Sequence, residues 1–171
     1  MKSWFLVVLY LVMADVVSAQ NGRTPRPLDP VAAEAYEQAV AGSPLVRDLV
    51  RRLEASNLVV HIESSWSLPS GVGGTMRFVT SRGGFRYVRI HLATGIRPDD
   101  RAAILGHELQ HACELAASDA HDMEAVRRLY QATGHHPGPS ENVFETRAAV
   151  LVERLVRAEL RAGHGERGGN K

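Results

Sequence analysis

The stretch ILGHELQHACEL, Ile104 to Leu115, places two histidines four residues apart with a glutamate directly after the first. Leu105, Leu109, Ala112 and Ala116 recur every three or four residues, which is the apolar stripe of a helix. The spacing predicts a helix capped by Asp99 and running to about Ala117. On such a helix, positions i and i+4 stand one turn apart on one face, so His107 and His111 can reach the same ion at roughly 2.0–2.1 Å. Glu108 stands about 100° round from His107. That suits it better to act as a base than to complete the ligand set. Two fixed nitrogens, an open coordination position and an adjacent carboxylate are what a metal-assisted hydrolase needs.

A third ligand is sought on the segment ENVFETRAAVLVERLVRAEL, read as a long helix from about Asn142 to Ala162. Its apolar arc contains Phe144, Ala148, Ala149, Leu151, Val152, Leu155, Val156 and Leu160, and Glu145 falls inside it. Arg147, Arg154, Arg157 and Arg161 form the opposite, solvent face. An ionised carboxylate on a buried stripe is costly unless it is paired or binds a metal. Glu145 is therefore the third candidate ligand, with a salt bridge to an arginine as the alternative. Glu141 and Glu159 lie near the helix ends, and Asp119 and Asp122 belong to no ligand motif. Glu114 and Ala117 stand where the longer H-x-x-G-x-x-H pattern requires glycine and histidine, which argues against a metzincin.

Upstream, PVAAEAYEQAVA and SPLVRDLVRRLEAS read as helices, the second with Ser43 as N-cap and Pro44 at its first position. NLVVHIES, TMRFVTS and FRYVRIHL read as strands of an antiparallel sheet, the last two joined by Arg82, Gly83 and Gly84 as a hairpin. Val88, Ile90 and Leu92 alternate with Tyr87, Arg89 and His91, so one side of that strand faces the core. His61 and His91 have no ligand spacing and read as structural or surface residues. HDMEAVRRLYQA is a shorter helix, followed by the loop TGHHPGPSEN with His135 and His136.

The first twenty residues, MKSWFLVVLYLVMADVVSAQ, have the layout of a secretory signal: Lys2, an apolar run from Trp4 to Met13, and Val17 and Ala19 before the cleavage point. The run is short for a membrane span, and Asp15 ends it. The expected organisation is a signal peptide over 1–19, a flexible linker over 20–30, a single metal-binding domain over 31–162 and a disordered tail over 163–171. The mature chain is expected to be secreted or periplasmic, without stable membrane insertion. The formal net charge of +1 gives no support to nucleic-acid binding. Cys113 is the single cysteine and turns away from the histidines, so it reads as a buried filler rather than a reactive thiol.

From Phe85 to Leu160 the sequence resembles the zincin metallopeptidases, and within them the gluzincins, in which HExxH is completed by a glutamate on a later helix. GHELQHA paired with FETRAA is similar to small exported bacterial proteins of that type. The resemblance implies a small α+β zincin-like domain with a short antiparallel or mixed sheet packed on the HExxH helix and a C-terminal helix. It implies Zn²⁺ held by His107, His111 and Glu145, with Glu108 as general base and a peptide or protein as substrate. The chain departs from typical gluzincins in three ways. It lacks their large second domain, Ala149 ends the glutamate segment where the thermolysin-like pattern has an aspartate, and no motif places an oxyanion-stabilising group. Tyr130, His135 and His136 are the candidates for that role. The strand FRYVRIHL is expected to be the edge on which a peptide lies. The alternatives to a peptidase are a zinc-stabilised binding or assembly module without turnover and a metal-free helical interaction protein whose histidines are merely exposed.

Overall fold

The helix around the quoted stretch begins at Pro98, one residue before the expected cap. Proline suits a first helical position, so Arg97 becomes the N-cap residue and makes no side-chain capping bond. Asp99 and Asp100 instead occupy the first turn, where the helix dipole favours negative charge. Asp99 accepts a hydrogen bond from Gln38.

The computed structural model describes residues 25–134 and 145–168, with 164–168 as backbone alone. Along the chain lie β1 (Arg26–Pro27), α1 (Pro30–Gly42), α2 (Pro44–Glu54), β2 (Leu58–Ser65), β3 (Gly74–Arg82), β4 (Phe85–Ala93), α3 (Pro98–Ala116), α4 (Met123–Thr133) and α5 (Arg147–Gly168). The expected signal peptide falls outside the described residues, as do His135, His136, Glu141 and Phe144. Among the described residues, no helix is long and apolar enough to cross a membrane.

The architecture is α+β, with helices on a four-stranded sheet of order β1-β2-β4-β3. The sheet is mixed rather than antiparallel. β2 pairs in parallel with β4, from Leu58 opposite Arg86 to Ser65 opposite Ala93. β3 pairs antiparallel with β4, with a bulge between Phe78 and Thr80. The loop 66–73 carries the chain past one strand position, and the hairpin then returns β4 into the gap. Gly83 and Gly84 make that return possible, since both have positive φ, 60° and 79°, as a two-residue primed turn requires. β4 is thus an interior strand, and β3 takes the edge position that the sequence suggested for FRYVRIHL.

Part of the expected linker belongs to the fold. Arg26 and Pro27 pair with His61 and Ile62 on an outer strand, where proline's missing N–H is tolerated. Asp29 caps α1 through Ala32 N, 2.9 Å away, and its second oxygen accepts from Ser64 N. At the other end α5 continues to Gly168, into the stretch expected to be a tail.

Val60, Ile62, Val88, Ile90 and Leu92 point from the sheet into the core and are fully buried, as are Val46, Leu53, Leu105 and Leu109 from the helices. α3 lies at the centre, in contact with α1, α2, α5 and strands β2 to β4. It is covered nearly all round, which explains why its sequence is weakly amphipathic. The apolar arc of α5 is narrower than the sequence suggested. Ala149, Val152, Val156 and Leu160 are buried, whereas Leu151 and Leu155 are exposed. Arg157, assigned to the solvent face, instead bonds Asp100 and Glu153.

One buried arginine fixes the end of α3. Arg86 has the same inward parity as Val88 and Ile90, and its guanidinium donates to the carbonyls of Leu115, Ala116, Ser118 and Ala120 at 2.7–3.1 Å. It also donates to Asn57 Oδ1 at 2.7 and 3.1 Å. The carbonyls left over at a helix C-terminus are thereby satisfied by the sheet. Arg86→Ala should cost about 3 kcal/mol, seen as a fall in Tm of roughly 6–12 °C. Arg86→Lys, a point charge without the planar fork, should recover only part of it. An unchanged Tm in both variants would remove this role.

Candidate functional site

α3 presents His107 and His111 on one face, and both are buried. Their Nε2 atoms lie 3.1 Å apart. The glycine before His107 has a clear purpose. A Cβ at Gly106 would meet Val156 Cγ2 at 2.9 Å, so the residue permits close approach of α5.

Glu145 does not sit on the long helix. It occupies a single bridge position two residues before α5 begins. Thr146 caps the helix: its Oγ1 accepts from Ala149 N at 3.1 Å and donates to Glu114 Oε1 at 2.8 Å. This buried threonine ties the start of α5 to α3. Glu145 Oε1 thereby comes within 2.9 Å of His107 Nε2 and 3.6 Å of His111 Nε2. The three sequence-predicted ligands form the His-His-Glu group within metal-binding distance among the described residues.

The separations 2.9, 3.1 and 3.6 Å can be tested against a metal. Ligand atoms held tetrahedrally at 2.0–2.1 Å stand about 3.3 Å apart, so the three atoms fit one such ion. Two ring nitrogens facing each other at 3.1 Å cannot both carry protons comfortably, which also favours a shared cation. Each ring turns its other nitrogen to a carboxylate. His111 Nδ1 is 3.1 Å from Glu114 Oε2, and Glu114 Oε1 also accepts from Gln110 at 3.1 Å. His107 Nδ1 is 3.3 Å from Glu153 Oε2, an ion contact without hydrogen-bond alignment, so that buried nitrogen is left without a hydrogen bond. Glu114 thereby orients the His111 ring, the kind of contact by which carboxylates orient imidazoles at metal sites.

Charge dominates the pocket. Burial alone would push the His107 imidazole down, but the carboxylates of Glu145 and Glu153, with Glu108, lift it to about 10. Burial likewise opposes protonation of His111, and Glu114, Glu145 and Glu108 overcome it, lifting the ring to about 9. Burial works to raise Glu145, yet the two histidines hold it at about 2. Glu108 is pushed upward, chiefly by its burial, with His111 and His107 offsetting part of the effect. Four carboxylates around two imidazoles leave a surplus of negative charge, which protons or a metal ion can balance.

Glu108 lies where β3 begins. A Cβ on Gly74 would stand 2.9 Å from Glu108 Oε1 and 2.6 Å from Ile104 Cγ2, so only glycine leaves this carboxylate its space. Tyr130 is committed elsewhere: its hydroxyl donates to the His111 carbonyl at 2.9 Å and its ring packs edge-on against the His111 ring. Its hydroxyl is thereby engaged in positioning a histidine. Glu159 bonds Ser43, Asp122 caps α4, and neither joins the cluster. Cys113 is buried, with its thiol pushed up to about 11 by that burial.

Glu114, Thr146, Glu153 and Gly74 were not anticipated from the sequence. Glu114 lies three residues after His111, and Glu153 lies between Ala149 and Val156 on the inward stripe of α5. Those spacings were the available signals. No protein-family model matches the chain, and no curated protein or solved structure does either.

Cobalt(II) titration tests the ligand set, because tetrahedral cobalt gives intense visible bands. The native chain should develop them with one equivalent, and Glu145→Ala should lose them. Glu114→Gln and Glu153→Gln should keep the bands while weakening affinity by about 10–100-fold. Full-intensity bands in Glu145→Ala would place the third ligand elsewhere.

Proposed function

We propose that the protein is an exported, zinc-dependent hydrolase of the peptidase type. The observation that carries this reading is the meeting of His107, His111 and Glu145 from two separate elements, with Glu108 beside them. Two imidazoles and one carboxylate suit zinc, and three protein ligands leave a coordination position open, as catalytic sites do. Zinc held there would supply Lewis acidity, making a water acidic enough to attack near neutral pH and polarising a carbonyl.

The remaining work falls to residues of the chain. Glu108 is buried beside the two imidazoles, and that burial raises its proton affinity. It is free to take a proton from water and deliver it to the leaving amine. Glu114 holds the His111 ring in orientation, Glu153 lies against His107 as an ion contact, and Thr146 anchors the start of α5 just after Glu145. β3 ends the sheet on the side nearest Glu108, so an extended peptide can add to it by main-chain hydrogen bonds. The HExxH…E resemblance to gluzincins agrees with this assignment, and the secretory layout of residues 1–19 agrees with export.

A zinc-stabilised binding module would share the metal and differ only at Glu108. Glu108→Gln should keep one zinc per chain and lose peptide hydrolysis by about 10²–10⁴-fold. Full activity in this variant, against a fluorogenic peptide pool, would refute the catalytic assignment.

A further inference from the structure

We infer that the cleft between β3 and α4 selects the substrate, taking a peptide in which a large apolar side chain and an acidic residue lie next to the bond cut. This rests on the reading above and supplies its substrate class. The cleft encloses about 730 Å³. Its walls are Met76 and Phe78 of β3 and Met123, Val126 and Tyr130 of α4, the last three spaced along one helix face. Met123 stands at the mouth, 63% exposed, as an apolar side chain without cover. At the inner end Tyr130 packs against the His111 ring, centroids 5.5 Å apart, so the cleft borders a candidate metal ligand.

Strand register connects the cleft to the chemistry. Gly74, Met76 and Phe78 lie opposite Leu92, Ile90 and Val88, all on the inward side of β3. Gly74 touches Glu108, and the next inward residue lies about 7 Å along the strand. A peptide extended on β3 with its reacting carbonyl near Glu108 therefore brings an adjacent side chain over Met76. The apolar walls reward a large aliphatic or aromatic group there.

Charge supplies the second requirement. Three charged residues edge the cleft: Glu124, Arg77 and Arg127. Glu124 is paired with Arg128 at 3.2 Å. Arg77 has no carboxylate partner among the described residues and alternates with Met76 and Phe78 along β3, so it stands on the face to which the residue next to the apolar group points and leaves a cation for an acid there.

The test uses full-length mature Glu108→Gln protein loaded with zinc and three fluorescein-labelled hexapeptides with a central Leu-Asp, Ala-Asp or Leu-Lys pair. Fluorescence anisotropy should show Leu-Asp binding about tenfold or more tighter than either other peptide. Arg77→Glu, added to this background, should reverse the Asp-over-Lys preference, and Met123→Glu should abolish the Leu-over-Ala preference. Both positions are exposed, and circular dichroism checks that the variants fold. Equal affinities for the three peptides, no binding of Leu-Asp, or preferences untouched by both substitutions would overturn the cleft. Chain with an intact Glu108 separates the two proposals. Binding Leu-Asp without cutting it defeats the hydrolase and spares the cleft, whereas cutting all three peptides equally defeats the cleft and spares the hydrolase.

Discussion

The structure is organised around an uneven charge count in a buried place. Glu108, Glu114, Glu145 and Glu153 surround His107 and His111, and the two imidazoles present their Nε2 atoms to each other at 3.1 Å. Glu108 and both imidazoles are buried and the other three carboxylates only partly exposed, so solvation offsets their charge only in part. Positive charge must be provided at the point where the two nitrogens and Glu145 meet. Protons on the rings answer the demand in part, at the expense of two facing N–H groups. A divalent ion would bring the same two positive charges without opposing the two N–H groups, at the point where the three candidate ligand atoms already meet.

The rest of the fold holds that meeting point in place. α3 carries the histidines through the centre of the helical layer, and Arg86 binds its last carbonyls to the sheet. Buried Arg101 secures the approach to α3, donating to the carbonyls of Thr94 and Ile96. Gly106 allows α5 to pack close, while Thr146 both caps α5 and bonds Glu114. Arg157 joins Asp100, in the first turn of α3, to Glu153 beside His107. Apolar packing by the sheet and by α1, α2 and α3 supplies the bulk of the core, so these polar contacts act chiefly as positional constraints.

Much of this was legible in the sequence because it depends on local periodicity. The α3 stripe, the Ser43–Pro44 helix start, the Gly83–Gly84 turn and the inward parity of Val88, Ile90 and Leu92 are all short-range patterns. The three candidate ligands came from i, i+4 spacing and one acidic residue near an apolar arc. Non-local choices were not legible. Strand order depends on where a loop lands, so β4 was read as an edge although β3 occupies it. Glu145 was placed on a helix because its phase fitted, yet Thr146 caps the helix just after it. Arg86 and Glu153 are charged residues at inward positions, and hydrophobic periodicity alone gives them no signal.

The account rests on a divalent ion at His107, His111 and Glu145, and elemental analysis of the native protein tests it most directly. Purified without added metal, the mature chain should carry one zinc per molecule. Stripping it with a chelator should lower the Tm by about 10 °C, as expected for an ion present at about a thousand times its dissociation constant. A chain that contains no transition metal, gains none on dialysis against zinc, and melts identically with chelator would contradict it.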